Sequence, residues 1–556
     1  MPTITLETDR FSHFVGHALG VDDMAKWLPW LGTDTEEVCS DYVKIEYNPN
    51  RVDFSSYGGV ARAFRGLMGW ETGMPRFTVN QSDIVLTVDK TVNEVRPYVV
   101  SGVVRGLSVD HEDIRELMDM QEALHWMIGR DRKKASIGVH NLDAVEPPFS
   151  YITCAPNEIS FVPLDKTDEM TPQEVLEKHE KGIEYKNEVN FASRYPLIVD
   201  RKRQVLSFPP IINGELTRVV EGTHNLFIDV TGTELNAIQR CLNVLVTALA
   251  DMGGIIESVR VEYPDQILVS PDLNPQKMKL HVDYSNEHLG LNLSETQIIE
   301  ALQKSRLDAI KFGNRVLDVA IPAYRTDILH EIDLVEEVAI GYGYFNLTPT
   351  KPTTVTTGEQ HKVNEVATDI RQIMVGMGFV EALNFILANE VDHYQKMRLK
   401  PEELVTLANP VSAEYSIIRN NLLPSLMKNL ADSKHYVFPQ RVFEVSDVIK
   451  LNKNSETCTE RRIHVAAVSS HPTANFTEIK SILESLLNNL GLKTWAVKEI
   501  NHPSFLEGRA AIISINNMEL GVVGEIHPEV LNNFDLENPT CAFEIDAQKI
   551  IDACMC

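Results

Sequence analysis

Between Pro322 and Tyr344 the chain reads Pro-Ala-Tyr-Arg-Thr-Asp-Ile-Leu-His-Glu-Ile-Asp-Leu-Val-Glu-Glu-Val-Ala-Ile-Gly-Tyr-Gly-Tyr. Asp333, Glu336 and Glu337 stand at i, i+3 and i+4, so a helix presents all three on one face. Asp327 lies in the loop just before and can reach that face. Like charges this close cost a helix roughly 0.2–0.5 kcal/mol per pair unless something neutralises them. A hard cation would do so, and oxygen-only ligands favour magnesium or calcium over zinc. The same spacing also describes an acidic helix N-terminus with no metal, where the dipole favours Asp and Glu.

Other chemistry-bearing patterns are missing from the sequence. There is no G-x-x-x-x-G-K-[ST] phosphate loop, no G-x-S-x-G elbow and no H-E-x-x-H. Nothing resembles a self-sufficient ATP site. His125 and His140 have no evident nucleophile beside them and read as structural. Seven cysteines, Cys39, Cys154, Cys241, Cys458, Cys541, Cys554 and Cys556, form no C-x-x-C pair. Buried or incidental thiols are expected rather than zinc or a disulfide framework.

The 556 residues are too many for a single core and predict roughly three to five domains. With 43% hydrophobic and 24% charged residues the composition is that of a soluble globular protein. No apolar run approaches the roughly 20 residues that span a bilayer. Met1–Arg10 is polar and alternating, unlike a signal peptide, so the expected location is cytoplasmic. A net charge of −27 argues against a protein that coats nucleic acid. It leaves room for a local basic face at Arg130, Arg132, Lys133 and Lys134, or at Arg201, Lys202 and Arg203, although either cluster can equally be solvated surface.

The elements that must position these groups follow from periodicity. Thr3–Leu6 and Tyr42–Tyr47 read as strands, Asp9–Leu19, Asp22–Leu31 and Tyr57–Leu67 as helices. Small residues Gly58, Gly59, Ala61 and Ala63 allow the last of these to pack closely. From 89 to 268 strands and helices mix. Pro97–Val104, Ser160–Pro163, Leu197–Asp200 and Asn225–Thr233 read as strands, and Asp113–Gly129 as a helix. Leu235, Ile238, Leu242, Leu245 and Leu249 form a helical stripe that stops at Gly253-Gly254. After the linker Pro271–Pro275, the capping box Ser294-Glu295-Thr296-Gln297 starts a helix at Glu295–Lys304. Leu317, Val319 and Ile321 alternate along a strand and Asp333–Tyr342 is helical, so 272–348 predicts a winged-helix-like module. A Thr- and Pro-rich linker, Thr348–Thr357, leads to an α+β unit at 358–547. There Val363, Val366, Ile370, Ile373 and Met374 mark one helix, and Ile479, Ile482, Leu483, Leu486 and Leu490 another. Leu383, Phe385 and Leu387 alternate along an expected strand, and Ala510–Ile515 and Leu520–Gly524 fit an antiparallel sheet. Residues 548–556 read as a tail.

The string R-x-D-x5-D-L-V-E-E-V-A-x-x-Y-G-Y resembles the beta subunit family of phenylalanyl-tRNA synthetases, of the archaeal type. Asn48-Pro49-Asn50-Arg51-Val52-Asp53 is similar to the family's N-P-N-R-P-D, with Val52 in place of proline. Gly138–Asp143 and Pro209–Asn213 resemble its editing domain, with Asn141 where aspartate is common. Asn409–Ser412, Arg419–Pro424 and Gly524–Pro528 resemble its catalytic-like domain. Phe345 departs from the usual asparagine. The resemblance covers essentially the whole chain.

It implies a multidomain α+β architecture: an N-terminal α/β domain (1–88), a mixed α/β editing and tRNA-binding domain (89–268), the winged-helix-like module, and an inactive class II synthetase-like antiparallel sheet with helices. It implies that Asp327, Asp333, Glu336 and Glu337 bind Mg2+. It further implies an alpha2beta2 heterotetramer in which the alpha subunit charges tRNA(Phe) from ATP and L-phenylalanine. The editing residues would fall in 197–233: Ser207, Asp229 and Thr231, with Ile198 as an apolar wall. Asp229 and Thr231 point to one side of their strand; they could instead merely shape the turn into the following helix. A pocket for phenylalanine rejects an added hydroxyl only about 10²-fold, which motivates a second, hydrolytic site for Tyr-tRNA(Phe). A free-standing trans-editing hydrolase and a non-catalytic tRNA-binding scaffold are the competing expectations.

Overall fold

The computed structural model describes every residue except Asn190, Asn516, Asn517 and Cys556. The chain divides into two compact units, Met1–Thr350 and Lys351 onward.

In the first unit Thr3–Glu7, Tyr42–Tyr47 and Thr33–Val38 pair antiparallel, with Tyr42–Tyr47 in the middle. Thr33–Val38 carries no apolar alternation, since five of its six residues lie exposed; backbone pairing alone makes it a strand. Against this sheet packs the helix Tyr57–Leu67, whose first turn is capped by Ser56 accepting from the Gly59 amide at 3.1 Å. A Cβ on Gly59 would sit 1.7 Å from the Asp53 carbonyl oxygen, so the close approach read from its small residues is obligatory here.

Ten strands build the second sheet. Its middle is Val79–Val88, Ile255–Glu262, Tyr98–Arg105, Leu226–Gly232 and Ala135–Asn141, in that spatial order. Phe149–Cys154, Tyr195–Val199, Val205–Phe208 and Ile212–Asn213 continue it beyond Val79–Val88. The sheet thus starts at Val79, ahead of the expected boundary at 88, because that strand pairs parallel with both Ile255–Glu262 and Phe149–Cys154. The expected strand Ser160–Pro163 reduces to two isolated bridges, from Phe161 and Pro163; a proline amide cannot donate to a ladder. The helices His111–Met127 and Leu235–Asp251 bury their apolar stripes, including Leu117, Leu124, Ile238, Leu242 and Leu245, in one core with Val100, Ile137 and Ile228.

Then Gln276–His281, Val316–Ile321 and Asp308–Gly313 form a three-stranded sheet with Val316–Ile321 central. Three helices cover it: Val282–Leu289, Glu295–Lys304, with the expected Ser294/Gln297 capping box, and Glu331–Tyr342.

The second unit is a seven-stranded sheet in the order Val380–Glu381, Gln440–Leu451, Thr459–Ser470, Thr540–Asp546, Met518–Ile526, Phe505–Ile515, Ala496–Glu499. All neighbours run antiparallel except the first pair. Lys362–Gly376 and Phe476–Asn489 pack into one apolar core, Leu423–Asp432 and Pro528–Asn533 into another. Two expectations change. The stretch from Ala547 is a helix rather than a tail, since Ile550 and Ile551 are buried in the first of these cores or beside it. Leu383 and Phe385 are not in a strand: only Leu387–Ala388 pairs, with Ile417–Ile418, and the two larger side chains stand exposed. Among the described residues no helix is long and apolar enough to cross a membrane. Cys39, Cys154, Cys241, Cys458 and Cys541 are free thiols, three of them buried.

Candidate functional site

The ten-stranded sheet and the helix His111–Met127 enclose a cavity of about 510 Å³. Ser207 and Asp229 both line it. Asp229 is fixed by register: on Leu226–Gly232 it stands directly opposite Gly138 of Ala135–Asn141. A Cβ on Gly138 would lie 2.3 Å from Asp229 Oδ2, so the carboxylate occupies the space the glycine leaves open. Oδ2 accepts from His140 Nε2 at 2.7 Å and from Ser207 Oγ at 3.5 Å. His140 is fully buried, and its Nδ1 meets Thr217 Oγ1 at 2.8 Å. A carboxylate only accepts, so Nε2 carries a proton toward Asp229, while the Thr217 hydroxyl, able to donate or accept, sits at Nδ1. His140 has a chemical partner that its surroundings in sequence do not disclose, because Asp229 is 89 residues away and meets it only across two paired strands.

Thr231 faces the same side of the strand as Asp229 but is not among the cavity's lining residues. Its hydroxyl is held by Arg96 Nε at 2.9 Å and by Ser136 Oγ at 3.0 Å, and its carbonyl by Arg96 Nη2 at 2.8 Å. Ile198 belongs to the apolar core with Leu86, Phe149 and Phe227 and is not among the cavity's lining residues.

The cavity is also lined by a residue that the sequence places on a solvated face. Arg132, expected on a solvated basic face, is buried; it donates to the carbonyls of Pro210 and Ile211 at 3.3 and 3.1 Å and to Glu122 at 2.7 Å. Lys134 and Lys202, from the two basic clusters, pair with Glu234 and Glu146. His125 Nε2 accepts the Ile137 amide at 2.8 Å, which puts its proton on Nδ1. Burial pushes this imidazole below its ordinary value, so the ring is neutral near pH 7. His125 and Arg132 together hold the Glu122 carboxyl down at about 2. His125 Nδ1 faces Glu122 Oε1 at 3.5 Å, and two further buried nitrogens on lining residues, Arg132 Nε and His179 Nε2, make no hydrogen bond within the protein. Both donors are open to a polar partner in the cavity.

The acidic cluster is built differently from the metal centre that the family resemblance implies. Arg325 Nε and Nη2 grip the two oxygens of Asp327 at 2.9 and 2.6 Å, and Nη2 also donates to Glu337. Asp333 Oδ2 accepts the amides of Leu329 and His330 at 2.8 and 2.7 Å, closing the capping box that starts Glu331–Tyr342. Glu336 is the exposed member; partial burial and the charges of Glu337, Asp327 and Asp333 raise its carboxyl above the normal value. Among the described residues no group of three or more His, Cys, Asp or Glu side chains is placed to hold a metal ion. The four carboxylates in this arrangement do not fit a shared Mg2+, because two serve one guanidinium and a third serves the helix cap. A second Arg-x-Asp fork repeats the motif: Arg51 grips Asp53 at 3.0 and 2.9 Å.

Residues 278–344 match the family described as tRNA synthetase B5 domain, and 347–547 the phenylalanyl tRNA synthetase beta chain CLM domain. The phenylalanine–tRNA ligase beta subunit of Archaeoglobus fulgidus is 45% identical over 99% of both chains. The chain belongs to the phenylalanine–tRNA ligase beta subunit family. The Methanocaldococcus jannaschii beta subunit is 40% identical over 99% of this chain and all of its own length. A solved N-terminal fragment of the Pyrococcus horikoshii phenylalanyl-tRNA synthetase beta subunit superposes with a TM-score of 0.60 at 35% identity, covering 61% of this chain and 99% of the fragment. As a beta subunit the chain is one part of an aminoacyl-tRNA synthetase, a ligase of protein biosynthesis, and serves the charging of tRNA(Phe).

Proposed function

We propose that this beta subunit joins an alpha subunit in an alpha2beta2 complex and hydrolyses Tyr-tRNA(Phe) in the cavity around Asp229. The observation that carries the second half is the buried Asp229 carboxylate, held by His140 and Ser207 at the edge of a cavity of about 510 Å³. That volume lies within the usual range for small-ligand pockets. A fixed acceptor rewards a phenolic hydroxyl, and phenylalanine would leave it desolvated and unpaired. Ser207 has no imidazole beside it, because His140 contacts Asp229 and Thr217; a positioned water, rather than a serine nucleophile, is the attacking group. Arg132 and the neutral His125 also line the cavity, where a charged or polar part of the aminoacyl-tRNA end would meet them.

Charging itself is assigned to the alpha subunit, which would supply the site for ATP and L-phenylalanine, since this chain carries no phosphate loop. The exposed apolar residues Leu383 and Phe385 of the second unit support a partner on that face.

Purified alpha–beta complex, supplied with Tyr-tRNA(Phe) and Phe-tRNA(Phe), tests the reading. Release of tyrosine at least ten times faster than phenylalanine, lost in Asp229→Ala, is expected. Activity of the beta chain alone equal to that of the complex would point to a free-standing hydrolase. Unchanged hydrolysis in Asp229→Ala would leave a tRNA-binding scaffold.

A further inference from the structure

We infer that His140 is the positioning residue that makes Asp229 a selective acceptor for a hydroxyl, an inference that rests on reading the cavity as the hydrolytic site. Three independent features of the geometry converge on one oxygen. His140 Nε2 donates to Asp229 Oδ2 at 2.7 Å. Ser207 Oγ reaches the same oxygen at 3.5 Å. Gly138, directly opposite Asp229, leaves open the space in which the carboxylate meets His140: a Cβ there would lie 2.3 Å from Oδ2 and 2.7 Å from Nε2. With Oδ2 occupied from inside the protein, Oδ1 is the atom left to accept from a ligand.

The chain continues one step further back. Thr217 Oγ1, 2.8 Å from His140 Nδ1, holds the ring in the orientation that turns Nε2 toward Asp229. In the other tautomer Nε2 would confront the carboxylate with a lone pair, and Asp229 would either turn away or take up a proton. A protonated Asp229 could donate to a ligand as well as accept, and the preference for a hydroxyl would fall. His140 touches neither the cavity nor the reacting ester; it acts through Asp229.

The test uses the alpha–beta complex with the full-length beta chain and compares His140→Leu, His140→Gln, Thr217→Val and Gly138→Ala. Recognition of a hydroxyl in ground and transition state alike is lost as KM. His140→Leu is therefore expected to raise KM for Tyr-tRNA(Phe) about tenfold or more with kcat changed less than about threefold. His140→Gln, whose amide can still donate, restores part of that loss. Thr217→Val, which leaves the imidazole in place, shows the same split at smaller size, and Gly138→Ala matches His140→Leu. Circular dichroism and thermal melting establish which variants fold; Thr217→Val decides the matter if His140→Leu does not. Folded variants with wild-type KM and wild-type discrimination between the two esters overturn the inference while the reading of the cavity stands. A wild-type complex that hydrolyses neither ester removes both.

Discussion

The guanidinium of Arg325 grips both carboxylate oxygens of Asp327, at 2.9 and 2.6 Å, in the fork geometry that makes Arg–carboxylate pairs strong. The same Nη2 serves Glu337, and all three side chains are nearly inaccessible to water. The acidic helix face thus carries its own cation. Removing it strands two carboxylates in a poorly solvated site, a change that typically costs about 3–5 kcal/mol. Arg325→Met is expected to lower the unfolding free energy by that order, measured by urea titration of the first unit's transition. Chelation of divalent ions should leave wild-type melting unchanged. A rise of several degrees in Tm on adding Mg2+ to the wild type would contradict the arrangement.

The helices Glu295–Lys304 and Glu331–Tyr342 meet at Gly341, where a Cβ would sit 1.9 Å from the Ala301 carbonyl oxygen. Backbone cannot yield as a flexible side chain can, so Gly341→Ala must push the two helices apart. The expected cost is about 1–3 kcal/mol, the range for overpacking a filled core. In a helix interior alanine would otherwise be favoured over glycine by about 1 kcal/mol. A stabilised Gly341→Ala variant in thermal melts would show that the contact is looser than described.

The reach of the sequence can be judged from these same residues. Leu235–Asp251 and Glu295–Lys304 were legible because an apolar stripe and a capping box are local signals. Thr33–Val38 was not, because a strand held only by backbone pairing leaves no hydrophobic alternation. Asp229 and Ser207 could be nominated from resemblance, yet His140 and Gly138 owe their roles to strand register and Thr217 to the short turn Glu215–Thr217. The spacing of Asp327, Asp333, Glu336 and Glu337 was visible, and so was Arg325. What the pattern does not encode is that an arginine two residues before Asp327 folds back onto it. The spacing by itself leaves both readings of those carboxylates open.

In the second unit the buried Glu544 accepts the amides of Leu422 and Leu423 and meets His464 Nδ1 at 2.7 Å. Burial alone would raise this carboxyl; His464 and the two amides outweigh it and hold it below the usual 4.5. A carboxyl depressed in the folded state contributes stability that is present above its unfolded value and lost as pH falls through its folded value. The wild type should therefore lose stability on acidification below about pH 4.5, and Glu544→Gln should lose part of it already at neutral pH, by about 1–3 kcal/mol. Denaturant titrations of wild type and variant at pH 7 and pH 4 check this: the gap between them should narrow at the lower pH. A gap that stays constant would mean the charge of Glu544 contributes nothing.

Leu383 and Phe385 are 89% and 76% exposed, and Phe385 leans on Tyr415 with ring centroids 6.0 Å apart. Side chains of this size, largely left to water beside a short two-stranded pairing, Leu387–Ala388 with Ile417–Ile418, add little packing inside the unit beyond the Tyr415 contact. Their substitution should then cost the isolated beta chain little, within about 0.5 kcal/mol for a surface site. If the face meets the alpha subunit, aromatic and apolar anchors at its centre carry about 2 kcal/mol or more each, so Phe385→Asp should weaken association about thirtyfold or more. Leu383→Asp should act in the same direction. Sedimentation of the mixed subunits measures the association, and melting of the beta chain alone measures the fold. Loss of the complex with an unchanged melt is the expected pair of results; an intact complex in the double variant would move the interface elsewhere.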